Sequence, residues 1–297
     1  MRGYLRSLSV LVFTGAVIGG VLATVPVTAA GAAVTGTTTC SGSPKAPGVL
    51  TGTVTSNVVV KGVCFVNSGP AVVSGNVTVS PGSVLVAAFG MHNSSLSVQG
   101  NVLVRAGAVA VLGCNTSSFA CLDDPNQNQP TLSSHLTVGL DLRSNLALGV
   151  IVHNFSLGGD VIQTGGGGGR NCTPQGFFAA VGLPVFSAYE DGSVGGDVRI
   201  SSVQSCWMGL ARLTVGNTVV MFFNKLADPD AIEILANHIA GNLICRGNSR
   251  TWDSSEGASH GLFPRIPEPN TVDRNRMGQC VLSSPTKPGG PLGPGPF

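Results

Sequence analysis

Two stretches of this chain follow one template. Residues 73–86 read VSGNVTVSPGSVLV and residues 98–111 read VQGNVLVRAGAVAV, so V-x-G-N-V-x-V-x-x-G-x-V-x-V returns after 25 residues. Identical residue types at identical offsets belong to equivalent places in a repeating unit. Each unit holds only short alternating strands and cannot bury its apolar side chains alone, so units of this length must stack. The expected fold is all-β: a parallel β-helix, or β-solenoid, with strands of successive coils about 4.8 Å apart. Glycine at a corner supplies a positive φ without steric cost. The Asn or Asp after it tolerates that conformation and can form a ladder with its equivalents. A β-sandwich is the alternative, since it also gives many short strands, but it does not require the repeated offset.

The core of the template, G-[N/D]-[V/L], recurs at Gly75-Asn76-Val77, Gly100-Asn101-Val102, Gly159-Asp160-Val161, Gly196-Asp197-Val198 and Gly241-Asn242-Leu243. Short alternating runs such as LTVGLDL, VIVHNFSL and ARLTVGNTVVMFF lie between the copies and carry the strand signal. Three segments interrupt them. Residues 115–130 form a polar loop, 164–174 contain a flexible glycine run, and 227–237 suit a helical turn or a strand. The predicted organisation is a leader at 1–33, a solenoid at 34–248, an irregular segment at 249–283 tied back by Cys280, and a disordered Pro/Gly-rich tail at 284–297.

Residues 1–33 have the form of a secretory signal: Arg2 and Arg6, an apolar run at 8–25, and small residues at 29–33 where cleavage would fall. The expected location is therefore secreted, extracellular or at the cell surface, with no membrane span after the leader. Of 16 Lys and Arg, removal of Arg2 and Arg6 leaves 14 against 14 Asp and Glu. That balance offers no footprint for nucleic acid. All eight cysteines follow the leader: Cys40, Cys64, Cys114, Cys121, Cys172, Cys206, Cys245 and Cys280. An even count in an exported chain implies disulfides, and pairing of neighbours in sequence is the expectation.

The segment 232–248, IEILANHIAGNLICRGN, resembles a repeat of secreted, uncharacterised actinobacterial proteins. The stacked V-x-G-N-V units are also similar to coils of right-handed parallel β-helices, among them bactofilins and pectin lyase-like enzymes. That resemblance implies architecture only. Bactofilins lack a secretory leader, and no pectin lyase catalytic motif is present.

Candidate chemistry is sparse. Asp160 and Asp197 occupy equivalent repeat positions and would lie one strand spacing apart if their coils were adjacent. Two carboxylates that close could serve a retaining glycosidase, but Asn occupies the position in other copies and points to a structural ladder. Asp228 and Asp230, beside Glu233, form the densest acidic group and could supply an acid and a base; an Asp-capped turn is the plainer role. Asp123, Asp124, Asn126 and Asn128 resemble the opening of a calcium loop, but Gln129 and His135 stand where such a loop needs Gly and Glu. The five histidines form no compact metal pair, the glycine run lacks the G-K-[S/T] of a phosphate loop, and there is no G-x-S-x-G nucleophile elbow. No cofactor is implied. Trp252 is the best candidate for an exposed sugar-stacking ring, and Trp207 is expected to pack beside Cys206. These features favour a structural or adhesive protein, with polysaccharide, a cell-wall component or a second copy as partner. A polysaccharide lyase or hydrolase on the same scaffold is the alternative.

Overall fold

The computed structural model describes residues 34, 36–228, 232–249, 251–253 and 269–281. The predicted leader, the predicted tail at 284–297 and Asp230 lie outside them. The described residues form a parallel β-solenoid. Every strand ladder is parallel, which rules out the antiparallel sheets of a sandwich.

Each coil lays down up to three short strands, and equivalent strands of successive coils pair in register. The first face runs from Thr37–Gly42 through the start of Asn57–Phe65, then Val77–Val79, Val102–Val104, Leu142–Asn145, Val161–Thr164, Val198–Ser201, Val219–Phe222 and Leu243–Arg246 to Arg276–Gly278. The second includes Val84–Ala87, Val109–Leu112, Ile232–Leu235 and Thr251–Asp253. The third includes Ala71–Val73, Leu96–Val98, Leu136–Val138 and Thr271–Val272. Three long strands, Gly149–Leu157, Phe186–Val194 and Trp207–Val215, bend from the second face to the third. They bend at Asn154, Asp191 and Arg212, each at positive φ.

The alternation read from sequence is the alternation of burial. In Val77–Val79 and Val102–Val104 the outer valines point inward and the middle residue outward. The inward residues form one apolar column, from Val58 and Val77 to Ile239 and Leu243. Tyr189 also lies in this column, and its hydroxyl donates to Gln163 Oε1 at 2.9 Å. Burial pushes the Tyr189 phenol well above its ordinary range.

A second apolar cluster sits outside the second face, under the two long insertions. Val111, Ile151 and Ala188 meet Phe178 from the short helix Gly176–Ala180, together with Phe186 and Trp207. Trp207 shares this cluster with Cys206 and stacks on Phe186, ring centres 3.8 Å apart. Gly149 makes the arrangement possible, because a Cβ there would lie 2.4 Å from the Phe178 ring.

The four disulfides join Cys40–Cys64, Cys114–Cys121, Cys172–Cys206 and Cys245–Cys280, the neighbour pairing expected. Such bonds persist in oxidising compartments. No helix among the described residues is long and apolar enough to cross a membrane.

Two expectations need correction, and of the two forms open to 227–237 the strand is the one present, at Ile232–Leu235. The solenoid does not stop at residue 248, because Thr251–Asp253, Thr271–Val272 and Arg276–Gly278 pair in parallel with the preceding coil. The glycine run is not a free loop: Gly167 N–H donates to Ala147 O and Gly169 N–H to Gln204 O, while Gly166 O accepts from Gln204. All five glycines have positive φ, and a Cβ at Gly166 would lie 2.0 Å from Ala147 O. Glycine is required there for close threading between coils.

Candidate functional site

The corner that leads from the third face to the first is where the template places its Asn or Asp. Each rung's side-chain oxygen accepts the backbone N–H of the next rung. Asn57 accepts from Asn76 at 2.8 Å, Asn76 from Asn101 at 2.8 Å, and Asn101 from Asp141 at 3.2 Å. Asp141 accepts from Asp160 at 2.7 Å, Asp160 from Asp197 at 2.8 Å, and Asp197 from Thr218 at 2.9 Å. Thr218 Oγ1 and Asn242 Oδ1 carry the ladder on to Asn275. Stacking therefore satisfies the backbone donors at each turn.

The glycine before the rung has a different reason from the one expected. Gly75, Gly100, Gly159 and Gly196 are absent from the positive-φ residues. A Cβ on each would instead lie 2.0–2.6 Å from the preceding rung's Oδ1. Positive φ belongs to the next corner, between the first and second faces, at Gly82, Gly107, Leu146, Gly165, Ser202, Phe223 and Gly247.

Asp160 and Asp197 are thus neighbours, as their repeat positions imply, and both serve as rungs. With Asp141 they make three carboxylates in succession. Arg143 pairs with Asp141 and Arg199 with Asp197, each at 2.5 Å. Burial works to raise the Asp141 pKa, but the Asp160 N–H and Arg143 outweigh it and leave the group below its ordinary value. Asp160 is half-buried and has no arginine of its own, because Ile162 stands where Arg143 and Arg199 stand in their coils.

The other candidates lie elsewhere. Asp228 is buried beside the Cys172–Cys206 bond, whose sulfurs are spent on each other. The carboxylates of the calcium candidates accept backbone N–H groups. Asp123 accepts the N–H groups of Gly90 and Met91. Asp124 accepts those of Asn126, Thr131 and Leu132. These bonds, Asn126 first, hold the Asp124 carboxyl below its ordinary pKa. Asn126 Oδ1 takes the Gln129 N–H at 3.3 Å, and Asn128 is exposed. The segment is a loop braced by backbone amides.

A group the sequence did not reveal lies where the second face bends into the third. His153 and Glu190 are register partners in adjacent coils, and Asp191 and Arg212 follow at the bend. His153 is 3% exposed and Glu190 is 1% exposed. Arg212 Nη2 donates to Glu190 Oε2 at 2.5 Å and Nε to Asp191 Oδ1 at 2.5 Å. His153 Nδ1 lies 3.8 Å from Glu190 Oε2 and 3.5 Å from Asp191 Oδ2. Burial pushes the Glu190 pKa up to about 7, against the pull of His153 and Arg212. Burial would also raise Asp191, but His153, Arg212 and Ser118 outweigh it and hold the carboxyl well below its ordinary range. Arg212 is disfavoured by burial, yet the two carboxylates raise its pKa. Left-handed backbone at the non-glycine residues Asp191 and Arg212 is the kind of strain that persists only where surroundings enforce it.

Open concavities lie on the outer side of the first face. One groove of about 610 Å³ is lined by Asp197, Arg199, Asn217, Val220, Phe222 and Ile244, among others. A second, of about 260 Å³, includes Leu103, Arg105, Arg143 and Ile162. In register, Leu103, Arg143, Ile162, Arg199, Val220 and Ile244 form one outward row along the stacking axis. Its aliphatic members are half-buried and its arginines exposed. Trp252 takes part in the final coil by its backbone.

No protein-family model, curated protein or solved structure matches this chain.

Proposed function

We propose that the chain is an exported structural or adhesive protein, of the secreted actinobacterial kind that its 232–248 segment resembles. Its contact surface is the outer side of the first face, and its partner is a polysaccharide or other cell-wall polymer. One observation carries the reading. The carboxylates best placed for chemistry, Asp160 and Asp197, accept backbone hydrogen bonds from the next coil, so they serve stacking. The outward row supports the choice of surface: an aliphatic floor with alternating arginines suits the CH groups and hydroxyls of a sugar polymer lying along the axis. Incubating the mature protein with insoluble polysaccharides and cell walls tests it. The protein is expected to leave solution without releasing product, and Phe222→Ser with Ile244→Ser should abolish that loss. Retention of the double variant in the same pellet would overturn the choice of surface.

A polysaccharide-active enzyme is the second reading. It is favoured by Asp160, whose Oδ2 has no partner among the described residues, beside a groove that Asp197 lines. New reducing ends or unsaturated products, lost in Asp160→Asn, would establish it in place of the first.

A further inference from the structure

At the bend from the second face to the third, His153 Nδ1 and Glu190 Oε1 find no hydrogen-bond partner among the described residues. Both belong to side chains almost wholly withdrawn from water. Nδ1 stands 3.8 Å from Glu190 Oε2, beyond hydrogen-bonding range, and 3.5 Å from Asp191 Oδ2. The charged groups acting on Glu190 are His153, Arg212 and Asp191. Arg212 and Asp191 cancel, so the charge of the cluster is set by protons on the other two. One proton between them makes the cluster neutral. None leaves a buried negative charge, and two leave a positive one.

What covers the cluster is a loop closed by the Cys114–Cys121 bond. Three contacts hold it down. Asn115 Nδ2 donates to Asp191 Oδ2 at 3.0 Å, and Ser118 Oγ donates to the same oxygen. The Phe119 ring lies flat on the His153 imidazole, centres 4.3 Å apart and planes 3° apart. Phe119 is also a wall of an apolar cavity of about 110 Å³, shared with Ile151, Phe177, Phe178 and Phe186.

We propose that His153 and Glu190 share one proton, and that this proton is the catch holding the Cys114–Cys121 loop shut over the cluster. Loss of the proton leaves a buried negative charge that must be hydrated. Water reaches it when Ser118 and Phe119 lift, and lifting Phe119 opens the apolar cavity. A second proton is better tolerated, because an imidazolium would lie against the Phe119 face and beside Asp191. The loop therefore opens on the alkaline side. The raised pKa of Glu190, about 7, places the change near neutrality.

The test is backbone hydrogen exchange of residues 115–122 from about pH 5 to about pH 9, corrected for intrinsic rates, in the full mature chain. Loop protection is expected to fall on the order of tenfold across neutrality while first-face strands stay protected. Glu190→Gln, which carries no titrating proton, should show no such step. A loop protected equally at all pH values, or the same step in Glu190→Gln, overturns the proposal. Carbon-13 NMR of the wild-type Glu190 carboxyl gives a reading independent of any variant. A midpoint near neutrality supports the shared proton, and one at an ordinary glutamate pKa refutes it.

Discussion

Replacing Asp160 by Ala and by Asn separates the two roles open to a carboxylate at this corner. Ala removes the oxygen that accepts the Asp197 N–H at 2.8 Å. A hydrogen bond to a charged acceptor is worth about 1.5–3 kcal/mol, and the donor left behind loses its partner between coils. Asp160→Ala should therefore lower stability by about 2–3 kcal/mol. Asn keeps the acceptor. It also adds an amide that can donate to Asp141, as Asn76 Nδ2 donates to Asn57 and Asn101 Nδ2 to Asn76. It removes a charge from between Asp141 and Asp197. Two such charges about 4.8 Å apart repel by about 1 kcal/mol in water and about 3 kcal/mol at an effective dielectric of 20; Arg143 and Arg199 already offset part of this. Asp160→Asn should be as stable as the parent, or more so by about 1 kcal/mol. Urea unfolding followed by far-UV circular dichroism gives both values, with the midpoint compared at constant slope. An Asn variant that loses as much stability as the Ala variant would refute the ladder role.

Other consequences follow from the same contacts. Gly196→Ala places a Cβ 2.0 Å from Asp160 Oδ1, and overpacking of this kind should cost about 1–3 kcal/mol in the same assay. Replacing Cys40 and Cys64 together by Ser opens a link across 24 residues of sequence, with an expected loss of about 3 kcal/mol by chain entropy. Glu190 has its pKa raised from 4.5 to about 7. Its contribution is full below about pH 4.5 and is lost as pH rises through about 7, amounting to about 3 kcal/mol. Urea midpoints across that range should show the decline in the parent and a flat profile in Glu190→Gln.

The architecture was legible because two coils, at 73–86 and 98–111, have the same length and nearly the same pattern. The ladder was only partly legible. Asn57, Asp141, Thr218 and Asn275 are rungs preceded by Ser, Leu, Asn and Arg, so a search for G-[N/D] passes over them. Leu140 shows that the preceding position accepts a side chain that points to solvent. Glycine's part was misjudged because sequence does not separate positive φ from close approach. Both occur here, at consecutive corners of one coil. Disulfide pairing followed from stacking, since three bonds span 24, 34 and 35 residues, close to one coil with its insertion.

The buried cluster was illegible for a different reason. His153 and Glu190 are register partners only because the insertion at 170–184 is looped out between them. Without that register, His153 reads as one of five scattered histidines. The signal available was indirect. Glu190 and Asp191 are adjacent acids inside an otherwise uncharged strand, FSAYEDGSV, and buried acids call for partners.

Co-sedimentation of the protein with insoluble polysaccharides and cell walls, with product assayed in the same tubes, bears most directly on the proposed function. A structural or adhesive scaffold should pellet with at least one polymer, release no reducing ends or unsaturated products, and bind unchanged as Asp160→Asn. Product release that disappears in Asp160→Asn, while the variant keeps its parent's stability, would contradict the account and make the corner carboxylates a catalytic site.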